Sequence, residues 1–194
     1  MTRSEEHRLI RRAAGGDRGA ADAFIRAHQA SLYAYMLRLS GRPDVAEDVV
    51  QEAFVRVLTN LHRFDYRYRF STWLFTIAKR LYVNLCQRHK PSYDTDAVGN
   101  FRASTVGPEG RVEDREVASN TRDALQSSLM ELSAEQREIL ILFHQLDWPI
   151  ALIAAHMDMP EGTVKSHLHR GRRRLRDLLE RDEVYSRHVG EVWT

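Results

Sequence analysis

Residues 149–181, PIALIAAHMDMPEGTVKSHLHRGRRRLRDLLER, are predicted to form two helices joined by a short turn. Pro149 can open the first helix, because its fixed φ suits a first helical turn and no backbone N–H is needed there. Asp158 tolerates left-handed geometry and Pro160 favours the start of the next helix, so the chain turns between them. The second helix has one apolar side, formed by Val164, Leu168, Gly171, Leu175 and Leu178. This pattern is typical of a helix-turn-helix.

The second of these helices is strongly basic. Seven Lys or Arg side chains stand between Lys165 and Arg181, against only Asp177 and Glu180. With the apolar side inward, the first turns present to solvent Gly162, Thr163, Ser166, His169, Arg170 and Arg173. A terminal helix can carry such a face simply as a solvated surface. We favour DNA binding, because the charge coincides with a helix-turn-helix and arginines there contact phosphates and base edges.

Helical spacing upstream of this motif starts at Ala124 and continues through Leu132. Ser133 can cap the next helix with Gln136 in the capping-box position. Its predicted core face consists of Ile139, Leu140, Leu142 and Phe143. Residues 91–123 are predicted to form a flexible acidic linker, because proline and glycine punctuate them and six acids oppose three bases between Tyr93 and Glu116.

The first 90 residues also have the spacing of helices, and we predict a bundle of three or four. An apolar stripe runs from Phe24 to Leu39, and a second runs from Ala46 to Leu61 with Asp44 as its expected N-cap. Ser71 is the expected cap of a third helix. The fold class is therefore predicted as all-α, with two small helical domains joined by the linker. Residues 182–194 form a tail with a possible apolar stripe at Tyr185, Val189, Val192 and Trp193.

Four acids and no base occupy residues 44–52. Asp44, Glu47, Asp48 and Glu52 recur at helical spacing beside Gln51. Negative charge near a helix N-terminus offsets the helix dipole, which accounts for the first three acids. Glu52 lies two turns inside the helix, so we favour the alternative that this face binds a basic protein surface.

Bases and aromatic rings are interleaved after this acidic helix. Eight bases oppose one acid between Arg56 and Lys90, and six rings fall within residues 64–75. Rings beside arginines suit stacking on unpaired bases. Phe70, Trp73 and Leu74 have core spacing and are expected to pack inside, whereas Tyr66 and Tyr68 are expected to be exposed.

The composition argues against several functional classes. Cys86 is the only cysteine, so an intrachain disulfide is excluded, and we expect it to pack inertly near the apolar side of the third helix. Apolar runs such as residues 139–143 are far too short for a membrane helix, and residues 1–12 are too polar for a signal peptide. The nine histidines lack metal-ligand spacing and no nucleophile motif occurs. We expect a cytoplasmic protein with no catalytic residue, cofactor, metal or membrane insertion.

Four stretches together resemble the extracytoplasmic-function sigma factors of bacterial RNA polymerase, across about residues 17–179. Residues 44–57, DVAEDVVQEAFVRV, look like the helix of that family that binds core polymerase, and residues 70–78, FSTWLFTIA, like its promoter-melting helix. Residues 132–140, LSAEQREIL, and 160–175, PEGTVKSHLHRGRRRL, look like the domain that reads the −35 element. The family pattern is not matched at Asn84, Pro149, Ile150, Asp158 and Gly171, which puts the promoter sequence in doubt rather than the class.

The resemblance implies a sigma region 2 domain at residues 1–90 and a sigma region 4 domain at 124–181. It implies that core polymerase, through the clamp helices and flap of its large subunits, would bind Asp44, Glu47, Asp48, Gln51 and Glu52. The −10 element would be captured and opened by Arg63, Asp65, Tyr66, Arg67, Tyr68, Lys79, Arg80, Asn84 and Arg88. The −35 element would be read by Gly162, Thr163, Lys165, Ser166, His169, Arg170 and Arg173. An anti-sigma factor is a further implied partner.

One alternative stays open from the sequence. An ordinary helix-turn-helix regulator would have the same basic helix and would never bind polymerase core. The acidic face of residues 44–52 argues against it, because such a regulator has no need of that face.

Overall fold

The structure is a computed structural model that describes residues 3–88 and 112–181. Every regular element in these two ranges is a helix, so the all-α prediction is confirmed. The chain divides into two compact units, residues 1–97 and 98–194. Within the described ranges, none of the helices combines the length and the apolar character needed to cross a membrane.

The described part of the first unit, residues 3–88, contains four α-helices and one short 3-10 turn. They are α1 (Arg3–Ala14), α2 (Arg18–Ser40), α3 (Pro43–Thr59), the 3-10 turn (Leu61–Arg63) and α4 (Phe70–Arg88). Helix α2 packs against α1 and α3, and α3 packs against α4. The core between them is aromatic: the ring centroids of Phe24 and Phe70 are 4.3 Å apart, and those of Tyr35 and Phe75 are 5.0 Å apart.

Helix α1 was not assigned from the sequence. It carries few apolar residues, but Ile10 is fully buried and fixes the helix on the bundle. Asp17 then caps α2 by accepting a hydrogen bond from the backbone N–H of Ala20 at 3.0 Å. Gly41 ends α2 with a φ of 69°, a left-handed value at which glycine is not strained.

Two predicted caps in this unit are wrong. Helix α3 begins two residues earlier than expected, with Pro43 in its first turn and Arg42, not Asp44, at the N-cap position. Asp44 therefore lies inside the first turn, where it is bound by the Arg42 side chain. Helix α4 likewise begins at Phe70, so Ser71 lies within it and is not its cap.

In the second unit, residues 112–181 form four helices. They are α5 (Val112–Met130), α6 (Ala134–His144), α7 (Ile150–Met157) and α8 (Glu161–Arg181). Helix α5 starts inside the range 91–123 that was predicted to be linker, so helical structure begins 12 residues before Ala124. Helices α5, α6 and α7 all pack against α8. The remaining linker residues and the tail stripe at 182–194 lie outside the described residues.

Local predictions in this unit are largely confirmed. The Ser133 hydroxyl accepts from the backbone N–H of Gln136 at 3.3 Å and caps α6. Asp158 has a φ of 53° and turns the chain from α7 into α8. Pro149 occupies the N-cap position of α7, one residue before the first turn that was predicted for it.

Gly171 allows α8 to pack tightly against α6. A Cβ placed on Gly171 would lie 3.2 Å from Leu140 Cδ1 and 3.4 Å from Gln136 Cβ. These distances are tighter than ordinary carbon–carbon contacts, so the backbone of α8 lies directly on α6 at this point.

Candidate nucleic-acid and protein interfaces

Helix α8 separates its apolar and basic residues cleanly. Val164, Leu168, Gly171 and Leu178 are buried, and Leu175 is half-buried. The predicted contact residues lie on the other side. All of them are exposed except Thr163, which is half-buried: Gly162, Lys165, Ser166, His169, Arg170 and Arg173.

The basic side chains of α8 have few internal partners. Arg174 lies 3.9 Å from Glu131, and the Ser166 hydroxyl donates to the Gly162 carbonyl of its own helix. Within the described ranges, Lys165, Arg170 and Arg173 form no ion pair. Their charge is therefore available to an incoming phosphate without breaking an existing pair.

Arg172 differs from its neighbours because it is held by α6. Its Nε donates to His144 Nε2 at 2.9 Å, and its guanidinium lies 5.0 Å from the centre of the Phe143 ring. Burial, and then the positive charge of Arg172, lower the pKa of His144, while Asp147 opposes the shift. The neutral imidazole is the form that can accept this hydrogen bond.

A buried polar pair joins α6 to α7. His156 Nε2 lies 3.0 Å from Glu138 Oε1, and the two side chains are 0% and 7% exposed. Trp148 stands edge-on to His156 with the ring centroids 5.3 Å apart. Sequence reasoning missed this pair, because 18 residues separate its members and neither stands in a recognisable motif.

The loop of residues 64–69, here the aromatic loop, is ordered by its own contacts. Phe64 is buried against Phe70 and Trp73, with ring centroids 5.4 and 5.5 Å away. Tyr68 is 61% exposed, as predicted, and the guanidinium of Arg67 lies 5.9 Å from its ring centre. Tyr66 differs from the prediction, because it is only half-exposed and packs edge-on to Phe64.

Charge in the aromatic loop is internally paired. Arg67 donates to both carboxylate oxygens of Asp65, with the shortest contact at 2.6 Å. These side-chain bonds, together with the backbone N–H of Arg67, lower the pKa of the Asp65 carboxyl. Asp65 thereby orients Arg67, and a nucleic acid that uses Arg67 must compete with this carboxylate or bind beside it.

Helix α4 extends the basic surface from this loop. Arg80, Asn84 and Arg88 are exposed and follow each other at intervals of four, so they share one face of α4. Arg63 is also exposed, whereas Lys79 is half-buried. Two expectations for α4 are corrected. Cys86 is exposed rather than packed, and Trp73 is half-buried because its ring lies against Phe64 and Phe70 at the edge of the core.

The acidic face of α3 is exposed along its whole length. Its five members, all exposed, are Asp44, Glu47, Asp48, Gln51 and Glu52. Asp44 is paired with Arg42, and Glu52 is paired with Arg56 at 2.7 Å. Glu47 and Asp48 form no ion pair with any residue that the structure describes. The middle of the face therefore retains its negative charge.

No metal centre is evident in residues 3–88 and 112–181. No three His, Cys, Asp or Glu side chains there lie close enough together to hold a metal ion.

Family models and known relatives match both units. The model described as Sigma-70 region 2 matches residues 24–91, and the model described as Sigma-70, region 4 matches residues 122–175. The ECF RNA polymerase sigma factor SigW of Bacillus subtilis is 31% identical over 176 residues, which cover 88% of this chain and 94% of that protein. The chain is a member of the ECF sigma factors. SigL of Mycobacterium tuberculosis, another ECF sigma factor, is 34% identical over 85% of this chain and 94% of its own length.

Solved structures show the same fold. The sigma factor RpoE of Bartonella quintana, solved with the anti-sigma factor NepR, is 24% identical with a TM-score of 0.66 over 84% of this chain and 98% of that one. CnrH, solved with the cytosolic domain of CnrY, is 23% identical with a TM-score of 0.67 over 92% of this sigma factor and 99% of its own chain.

Membership in this family gives the function at the level of the whole protein. The sigma factor directs transcription initiation from promoters, and the alternative of a regulator that never binds polymerase is not favoured.

Proposed function

We propose that this sigma factor divides its work among three surfaces. The acidic face of α3 binds core RNA polymerase, the aromatic loop with α4 binds and opens the −10 element, and α8 reads the −35 element. The observation that carries this assignment is the separation of charge. Four acids share one exposed face of α3, whereas α4 and α8 carry exposed arginines.

Core binding through α3 is supported by exposure and by the unpaired acids at its centre. Asp48, Gln51 and Glu52 lie within about one turn of each other, so one basic partner surface can contact all three. Complementary charge of this kind speeds association and fixes the orientation of the partner.

Opening of the −10 element is supported by Tyr68. An exposed ring next to Arg67 gives a flipped base a surface to stack on, and such stacking is worth about 1–3 kcal/mol per base. The face formed by Arg80, Asn84 and Arg88 supplies polar and positive side chains for the strand backbone.

Reading of the −35 element is supported by the first turns of α8. They follow the turn at Asp158 between α7 and α8, and in a helix-turn-helix the N-terminal residues of the second helix contact base edges in the major groove. His169, Arg170 and Arg173 can reach base edges or phosphates there, since the apolar side of α8 is held against α6 and α7.

The chain itself has no enzymatic activity, and catalysis belongs to the polymerase. It works in the cytoplasm, where its DNA is. An anti-sigma protein holds it inactive, by analogy with the partners of the two solved relatives.

The deciding experiment measures binding to core polymerase. Asp48→Arg combined with Glu52→Arg should abolish core binding, because it replaces two acids of the acidic face by bases. The matched control is Asp22→Arg on α2, which changes an acid that is exposed but lies outside this face. Core affinity would be measured by fluorescence anisotropy, with circular dichroism melts to show that folding is intact. Retained affinity in the folded double variant contradicts the proposal.

A further inference from the structure

We infer that α1 carries a phosphate-binding surface for the DNA strand held at the aromatic loop. The surface consists of Arg8 and Arg11, and the proposal rests on the role of the aromatic loop stated above. None of the contact residues implied for region 2 lies in α1, and the region 2 match begins only at residue 24.

Helix α1 is fixed beside the aromatic loop. Ile10 is fully buried, and the helix packs against α2 and against the 3-10 turn that leads into the loop. The ring of His7 stands edge-on to Tyr66 with centroids 5.1 Å apart. The guanidinium of Arg11 lies 5.3 Å from the centre of the same Tyr66 ring. One side of Tyr66 is thus covered by α1, which explains why this tyrosine is half-buried.

The charge on this part of α1 is not neutralised internally. Arg12 is paired with Asp17 at 2.7 Å. By contrast, Arg8 and Arg11 are exposed and form no ion pair among the described residues. They stand three residues apart on one helix, with Cβ atoms about 5–6 Å apart. An open depression beside them is lined by Ser4, Glu5, His7, Arg8, Arg11 and Arg12.

A nucleic-acid strand fits this surface better than another kind of ligand. A strand whose base stacks on Tyr68 must carry its phosphates past the edges of the loop, and Arg11 is anchored at one such edge by Tyr66. Arg67, within the loop, is already held by Asp65. Guanidinium groups bind phosphate oxygens with two parallel hydrogen bonds, which suits Arg8 and Arg11 to this task. An acidic protein surface is the competing partner, and the test separates the two.

The experiment measures binding of a random-sequence, single-stranded DNA of 12 nucleotides to the full chain over a range of salt concentrations. Each phosphate contact on a single strand contributes about 0.7 to the slope of log K against log salt. Arg8→Gln with Arg11→Gln should therefore lower the slope by about 1.4. Arg8→Lys with Arg11→Lys should keep the slope, because the charge remains. The matched control, Arg26→Gln on α2, should also keep it, since Arg26 is exposed, lies outside α1 and is already paired with Asp22.

The same titration distinguishes failure of this inference from failure of the loop assignment. Tyr68→Ala should weaken binding with an unchanged slope, because it removes stacking and no charge. If Tyr68→Ala weakens binding while the glutamine pair leaves the slope unchanged, the loop assignment stands and the α1 site is refuted. If the glutamine pair keeps its slope but loses affinity for core polymerase, α1 binds a protein instead and the inference is overturned. If the glutamine pair lowers the slope and Tyr68→Ala leaves DNA binding unchanged, the α1 site is supported and the loop assignment is contradicted.

Discussion

Helix α8 and the aromatic loop present their positive charges in different ways. On α8, Val164 and Leu168 are buried, so the arginines on the opposite side of the helix face solvent. Arg170 and Arg173 form no ion pair in the described structure. In the aromatic loop, Arg67 is held by Asp65, and the rings pack on each other. The helix is a preformed surface, whereas the loop must exchange some internal contacts for contacts with DNA. Double-helical DNA suits the first and a melted strand suits the second.

Phe70→Ala has the largest expected effect. It tests whether the aromatic loop, unlike α8, depends on the buried ring of Phe70. Phe70 is fully buried against Phe24, Phe64 and Trp73, so its removal should destabilise the first unit by about 3–5 kcal/mol. Denaturant unfolding would measure the loss. A cost below about 1 kcal/mol would mean that the aromatic loop is not supported by this ring.

Tyr68→Ala and Tyr66→Ala should separate the two tyrosines of the loop. Loss of the exposed Tyr68 ring should reduce opening of the −10 element by about 1–3 kcal/mol while leaving thermal stability unchanged. Tyr66→Ala should lower stability, because Tyr66 packs against Phe64 and His7. Permanganate footprinting of the open complex beside thermal melts would measure both, and equal behaviour of the two variants would refute the distinction.

Replacing Arg170 or Arg173 by Ala tests whether α8 is a preformed surface. Neither arginine has an ion pair to lose in the described residues, so stability should change by less than about 0.5 kcal/mol. Binding of duplex −35 DNA should lose up to about 0.9 in its salt slope for a phosphate contact, or lose sequence preference for a base contact. Salt titrations with matched and mismatched duplexes would measure these effects. Unchanged slope and preference in both variants would leave the arginines as solvated side chains only.

The smallest expected effect is the pH dependence of stability that comes from His144. The pKa of His144 is lowered from 6.5 in the folded protein, so the unfolded chain takes up its proton first as the pH falls. The stabilisation from neutral His144 is complete above about pH 6.5 and is lost as the pH falls below that value. Comparing melts of the full chain and of His144→Gln at pH 5.5 and 7.5 isolates this contribution. A pH dependence identical in the two proteins would exclude it.

Sequence reasoning succeeded where the signal is local. The Ser133 cap and the left-handed Asp158 each depend on a few neighbouring residues, and both were predictable. Helical periodicity likewise predicted which side of α8 is exposed. Competition between nearby signals explains the misplaced cap at Asp44, because Pro43 is an even better first-turn residue and moved the helix start.

Contacts between distant segments were not predictable. Helix α1 depends mainly on one buried isoleucine, Ile10, which periodicity cannot detect. The pair of Glu138 and His156 forms only once α6 and α7 are packed, and no spacing in the sequence indicates it. The exposure of Cys86 also depends on where α4 leaves the bundle, which its own apolar stripe does not specify.

Because α8 packs tightly on α6 at Gly171, a change at this position would tilt the helix about that contact. There the α8 backbone packs on the Leu140 side chain, whereas Gly162, Thr163 and Ser166, three of the residues proposed to contact the −35 element, lie toward the N-terminal end of α8. Gly162 is nine residues from Gly171, or about 13.5 Å along the helix axis. A tilt of about 5° at Gly171 would therefore displace Gly162 by about 1 Å. A shift of that size is enough to break a hydrogen bond to a base edge. Adding a methyl group at Gly171 would thus change promoter preference, even though Gly171 itself faces α6 and not the DNA groove.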